Sequence, residues 1–260
     1  MDLDIILKDW PFDEQEEANN IRKIVGLDGR IKLQLRLRDG VIQWELSGRP
    51  DGASPHGFDS ALEYCRFLVA NHASRPGESA FCLDQQLVDD LEEELVDYSR
   101  RLTALLRIGD YDHARSDAAH GLGVLALLRQ SGGDRAMALE YDRYRPQLIS
   151  DRARAEALLA AQTELWQEAV GALNCGIGEI ERYFQDNHRA AELLKNPQRE
   201  RLVELRRSLR ERHNIPLTDQ ELLQSLEAEQ ELAIVKEDFE MAARLRNKIR
   251  LVQERLDDVS

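Results

Sequence analysis

Residues 31 to 46, IKLQLRLRDGVIQWEL, constrain the fold most, because here alone the chain alternates apolar and polar residues with a period of two. Ile31, Leu33, Leu35 and Leu37 alternate with Lys32, Gln34 and Arg36, and Ile42, Trp44 and Leu46 alternate on the return. Such a period marks strands with one buried face. Asp39-Gly40 supplies a two-residue hairpin turn between them. An isolated hairpin is marginal in water, so Asn20 to Val25, followed by the GLDGR turn, is expected to add a third strand. The result is a small antiparallel meander. SGRPDGASPHG, residues 47 to 57, is dense in Gly, Pro and Ser and ends the sheet as an irregular loop. From Phe58 the period becomes 3.6: Phe58, Leu62, Cys65 and Leu68 or Val69 form a stripe that packs a helix across the sheet. Residues 1 to 75 thus read as an α+β head, and SRPGES, residues 74 to 79, as a boundary.

The remainder is helical in pattern, so the class is α+β and mostly α. Within residues 80 to 190, a shift of 55 places LRIGDYDHARSDAAHGLGVL over AQTELWQEAVGALNCGIGEI. Tyr111 meets Trp166, Ala114 meets Ala169, and Gly121-Leu122-Gly123 falls on Gly176-Ile177-Gly178. Each copy sets an aromatic at a turn and small residues where a second helix must approach the first. This resembles tetratricopeptide hairpins, though the spacing is not that of the repeat and a further helix, residues 134 to 148 with Pro146 near its end, lies between the copies. Two repeat-like hairpins are expected, and no regular array.

Residues 195 to 213 form a basic helix, with Arg206, Arg207 and Arg210 the candidates for nucleic-acid contact and Leu202, Leu205 and Leu209 its buried stripe. A helical hairpin is expected over residues 218 to 257. Thr218 caps its first helix, and Glu221 three residues on completes a capping box. Phe239, Ala242, Ala243, Leu245, Ile249, Val252 and Leu256 line its second helix, with Phe239 wedging the turn and both alanines at the contact.

The stretch LEAEQELAIVKEDFEMAARLRNKI is similar to the UVR motif, a helical hairpin of the excision-repair proteins UvrB and UvrC, of Clp-type ATPases and of their adaptors. Glu237, Asp238, Phe239, Glu240, Ala242, Ala243, Leu245, Arg246 and Ile249 carry the match; Gln230 and Asn247 depart from it. KDWPF, DGRIKLQLRL and GRPDGASPHG extend the resemblance to a group of bacterial UVR-domain proteins of this layout, which adds no activity. The motif implies protein-protein contact, with another UVR-motif protein or a second copy as partner. Apolar residues unused inside the hairpin would supply the docking face, with Leu245 and Val252, beside Arg246, the expected positions.

A net charge of -14 opposes general attraction to nucleic acid or anionic lipid. No apolar run reaches the roughly 20 residues that span a bilayer, and the acidic opening MDLDIILKDW and three scattered cysteines point to a cytoplasmic chain.

Sites of chemistry are scarce. His113, Asp117 and His120 share a helix face that could offer metal ligands, but a solvated polar face is the simpler reading. DDLEEEL, residues 89 to 95, could pair carboxylates, yet the Leu87, Leu91 and Leu95 stripe should turn its acids outward. Cys175 could be a nucleophile beside His188; a small buried cysteine fits better. No glycine-rich phosphate cradle occurs. The expectation is a non-catalytic interaction or adaptor protein without a cofactor, the alternative being a factor linked to DNA repair that touches nucleic acid through the arginine-rich helix.

Overall fold

The computed structural model describes residues 5, 7–73, 81–131, 135–193, 195–235 and 238–257. The class is α+β and mainly helical. Three strands, β1 (Ile21–Val25), β2 (Ile31–Leu37) and β3 (Gly40–Glu45), form an antiparallel meander in sequence order. Leu33 pairs with Trp44 and Leu35 with Ile42, which sets the expected apolar residues on one face. The expected boundary at residues 74 to 79 lies outside the described residues.

Two details differ from the alternation. Leu37 pairs with Gly40, so the two-residue loop is Arg38-Asp39 and Gly40 already belongs to β3. Arg36 rather than glycine fixes that loop: its guanidinium donates to the carbonyls of Leu37, Arg38 and Gly40. The other face of the sheet is also covered. Gln34 and Arg36 are buried. Arg36 Nε donates to the Trp10 carbonyl at 3.2 Å, and the Arg22 guanidinium lies 4.0 Å from the centre of the Trp10 ring. Gln34 bridges Arg22 and Gln43 at 2.9 and 2.8 Å. The N-terminal segment therefore closes over polar residues whose hydrogen bonds are satisfied.

Among the described residues of the first compact unit, seven α-helices follow: α1 (Ala61–Ala73), α2 (Gln85–Arg107), α3 (Tyr111–Ser131), α4 (Arg135–Asp142), α5 (Arg145–Gln162), α6 (Trp166–Asp186) and α7 (Ala190–Leu193). The eighth, α8 (Pro197–His213), crosses the division between Met1–Ser208 and Leu209–Ser260. Head and helices share one core, in which Ile21, Leu33 and Trp44 of the sheet join Leu62, Leu91, Leu105, Leu125 and Leu148. Helix α1 packs on α2 and α3 and brings Leu62 and Cys65 into the core beside Leu33 and Trp44 of the sheet. Polar contacts also tie the head to the α2–α3 hairpin: Lys23 Nζ lies 2.7 Å from Asp110, Arg107 lies 2.9 Å from Glu17 just before β1, and Arg101 donates to the Glu45 carbonyl at 2.7 Å.

The 55-residue correspondence holds in three dimensions. Tyr111 and Trp166 each begin a helix, Ala114 and Ala169 are fully buried, and α2–α3 and α5–α6 form the two hairpins. Gly121 permits α3 to reach Leu95 and Leu148; Gly176 permits α6 to touch α5 so closely that an added Cβ would fall 2.4 Å from that of Ala153. Both aromatics are half-buried. The intervening helix is shorter than expected: α4 ends at Asp142, and Pro146 sits in the first turn of α5, where its missing N–H costs no hydrogen bond.

The second unit contains α9 (Asp219–Val235) and α10 (Phe239–Asp257). Thr218 and Glu221 form the capping box, with Thr218 N to Glu221 Oε2 at 2.9 Å and Glu221 N to Thr218 Oγ1 at 3.3 Å. Leu226, Ala233, Ala242, Leu245, Ile249 and Val252 make the buried seam. Gln230, a departure from the motif, donates to the Ala242 carbonyl at 3.2 Å and so links the two helices. Among the described residues no helix is long and apolar enough to cross a membrane.

Candidate functional site

The strongest concentration of buried charge lies where α1, α2 and α3 meet. Glu94 was expected to face solvent with its acidic neighbours, but its carboxylate is enclosed. It accepts from the backbone N–H groups of Ala61 and Leu62 at 2.7 and 3.1 Å and meets His120 Nε2 at 2.7 Å. Arg49 stands 3.5 Å away. The first turn of α1 leaves N–H groups without helical acceptors and carries the positive end of the helix dipole. Glu94 satisfies both demands, which periodicity along α2 alone does not reveal. Burial pushes the Glu94 carboxyl up, but the hydrogen bonds from His120, Ala61 and Leu62 outweigh it and hold the carboxyl below its usual range.

A second buried pair lies beside the first. Arg101 grips Asp117 with two bonds of 2.8 and 2.6 Å. His120 stacks on Tyr98 with ring centres 3.8 Å apart, and burial pushes the Tyr98 hydroxyl up. Every carboxylate here is engaged by fixed donors, so the arrangement anchors helices and has no free oxygen for acid–base work.

The metal-ligand candidates separate accordingly. His113 meets Asp110 at 2.9 Å, Asp117 is taken by Arg101, and His120 by Glu94. Among the described residues no group of three His, Cys, Asp or Glu is arranged to hold a metal ion. Cys175 is exposed, not buried as the sequence suggested, because its position on α6 faces away from α5. Cys65 is the buried thiol, and burial pushes it up to about 11.

On the basic helix the three candidate arginines have partners, while Arg201 and Arg212 are exposed. Arg206 donates to Asn174 at 2.8 Å, Arg207 to Glu204 at 2.6 Å, and Arg210 pairs with Glu221. Arg199 pairs with Glu181 of α6 at 2.7 Å.

The hairpin's exposed residues are also not those expected. Leu245 and Val252 are 4% and 3% exposed and belong to the seam with α9, so they cannot be the docking face. Ala242 is in the contact as expected, whereas Ala243 faces solvent and Phe239 does not wedge the turn. Ile234, Phe239 and Met241, which bracket the turn, are 51%, 69% and 49% exposed. Arg246 is exposed on the same helix.

Two of the grooves on the helical unit combine apolar and charged walls. One, of about 730 Å³ between α3, α5 and α6, is lined by Arg129, Arg145, Arg152 and Arg182. Three of its arginines are tied to acids: Asp142 holds Arg129 and Arg145 at 3.2 and 2.6 Å, and Glu179 holds Arg152 at 2.6 Å, while Arg182 donates to the Gly178 carbonyl at 3.3 Å. The other, of about 500 Å³, runs along α2 and the start of α5 between Leu95, Val96, Leu102, Tyr141, Tyr144 and Leu148. Neither is lined by Glu94, Arg101, Asp117 or His120. These features define a mainly helical protein with an internal polar anchor and outward-facing grooves. No protein-family model, curated protein or solved structure matches the chain.

Proposed function

We propose that this chain is a non-catalytic interaction or adaptor protein that docks through the closed end of its C-terminal hairpin, with the repeat-like helices as a second surface. The observation that carries the reading is the exposure of Ile234, Phe239 and Met241 around one turn. Fully burying one such side chain is worth about 1.5 to 3 kcal/mol, so a partner covering this end gains substantially. The resemblance to the UVR motif supports contact with a second helical hairpin, from another UVR-motif protein or another copy of this chain. The excision-repair chemistry of better-known carriers of the motif is not inferred, since function belongs to sites rather than to shared hairpins. The nucleic-acid reading is weaker, because Arg206, Arg207 and Arg210 already have acceptors on the protein.

A photo-crosslinking residue at position 239 tests the reading, compared with a chain carrying Ile234→Asp and Phe239→Asp. The crosslink should join a second protein or a second copy, and the double variant should lose that partner while keeping its helical circular dichroism. Retention of every partner by a folded double variant would refute the docking role. Salt-sensitive binding of duplex DNA by the wild type would favour the alternative.

A further inference from the structure

The groove along α2 and α5 combines apolar walls with two carboxylates, neither of them ion-paired among the described residues. Val96 and Tyr144 are 46% and 62% exposed at its rim. Glu92 and Asp151 reach it from opposite helices. The Glu92 Oε1 atom is shielded from solvent and has no hydrogen-bond partner. Asp151 accepts from Gln147 at 2.8 Å, a neutral donor. Burial pushes both carboxyls up; Asp89 adds to this at Glu92, whereas the Gln147 hydrogen bond and the charges of Arg154 and Arg201 oppose it at Asp151. The lining cation Arg100 is turned to Asp97, 3.5 Å away.

A buried carboxylate oxygen without a donor loses hydration with nothing in return. A cation that arrives with its own apolar surface would repair this. Lysine and arginine do so, because their methylene stems lie along apolar walls while the charged head meets a carboxylate or the face of a tyrosine. The net charge of -14 steers cationic partners toward the molecule and anionic ones away.

We propose that the groove between Glu92, Val96, Tyr141, Tyr144 and Asp151 is a docking site for a basic amphipathic helix of a partner protein. Its leucine-like residues lie between Val96 and Leu148, and its lysine or arginine heads pair with Glu92 and Asp151. The proposal rests on the interaction-protein reading but not on the hairpin, whose exposed residues lie in the other compact unit.

The test uses the full chain and a fluorescein-labelled helical peptide with leucines on one face and lysines flanking them, read by fluorescence anisotropy. A peptide with glutamates in place of the lysines is the control. The lysine peptide should bind and the glutamate peptide should not. Glu92→Gln combined with Asp151→Asn should weaken binding at least about tenfold, and Tyr144→Ala should weaken it too. Glu93→Gln, an exposed acid on the same helix, should change affinity less than about twofold, which on the same scale is a small difference. Because the amides remove buried charge, the double variant should melt no lower than the wild type, so lost binding is not lost folding. Equal binding of both peptides, unchanged affinity in the groove variants, or an equal loss on Glu93→Gln overturns the proposal. The Ile234→Asp, Phe239→Asp chain should bind the lysine peptide normally. If it alone loses binding, the hairpin is the site and the groove is not; if it binds normally and also keeps every partner, only the groove reading stands.

Discussion

Gly176 and Gly178 are two residues apart on α6, yet replacing each by alanine should move stability in opposite directions. At Gly176 the new Cβ would sit 2.4 Å from Ala153 Cβ and 3.1 Å from Leu202 Cδ1. Carbon atoms rest about 3.5 to 4.0 Å apart, and the Ala153 methyl cannot rotate away, so α5 and α6 must part by about an ångström. Overpacking of this kind costs roughly 1 to 3 kcal/mol, against a gain of about 1 kcal/mol from replacing a helical glycine by alanine. The net loss is up to about 2 kcal/mol by these two figures. At Gly178 nothing lies within 4 Å of the added methyl, so only the gain remains. For a unit of this size 1 kcal/mol corresponds to about 2 to 4 °C. Calorimetry should therefore show Gly178→Ala melting about 2 to 4 °C higher and Gly176→Ala up to about 8 °C lower. A Gly176→Ala transition at or above that of the wild type would refute the close approach, and with it the structural basis of the 55-residue correspondence.

Three further substitutions probe the anchor and the hairpin. Glu94→Gln should destabilise by about 1 to 3 kcal/mol near neutrality, since an amide cannot accept all the bonds that the carboxylate accepts. The Glu94 carboxyl is held below its usual range in the folded chain, so its contribution is present above the unfolded value near about 4.3 and lost as pH falls through the folded one. Urea titrations between neutrality and acid should show a steeper acid loss for the wild type than for Glu94→Gln; parallel curves would mean the carboxylate is not linked to folding. Ala242→Leu should cost roughly 1 to 3 kcal/mol in the hairpin by overpacking the seam, whereas exposed Ala243→Leu should be nearly neutral. Hydrogen exchange across residues 219 to 257 reads the difference, and equal effects would show that the seam is misassigned.

Patterns that depend on near neighbours were legible in the sequence. The period of two placed β2 and β3, the marginal stability of a lone hairpin called for β1, the shift of 55 paired Ala114 with Ala169 and Gly121 with Gly176, and Thr218 with Glu221 marked the start of α9. What escaped depends on distant partners. Gln34 and Arg36 read as solvent-facing because Trp10, which covers them, is more than twenty positions away. Glu94 read as one acid in a solvated run because the N–H groups that it satisfies belong to another helix. Pro146 read as a helix end because proline serves equally well in the first turn of the next helix.

The reversal in the hairpin has a cause that the spacing itself contains. Ala242, Leu245, Ile249, Val252 and Leu256 follow intervals of three, four, three and four, which keep a stripe on one face of a helix. That stripe is wide enough for one partner, and α9 takes it. Phe239 extends the series by a further three, so two intervals of three fall in succession. At about 100° per residue, each three falls short of a full turn by about 60°, and the pair carries Phe239 about 120° away from Leu245. An aromatic displaced that far cannot share the seam, which agrees with its exposure. Phe239 is thus a residue the hairpin does not use for itself, and position 239, not 245 or 252, is where a partner should be sought.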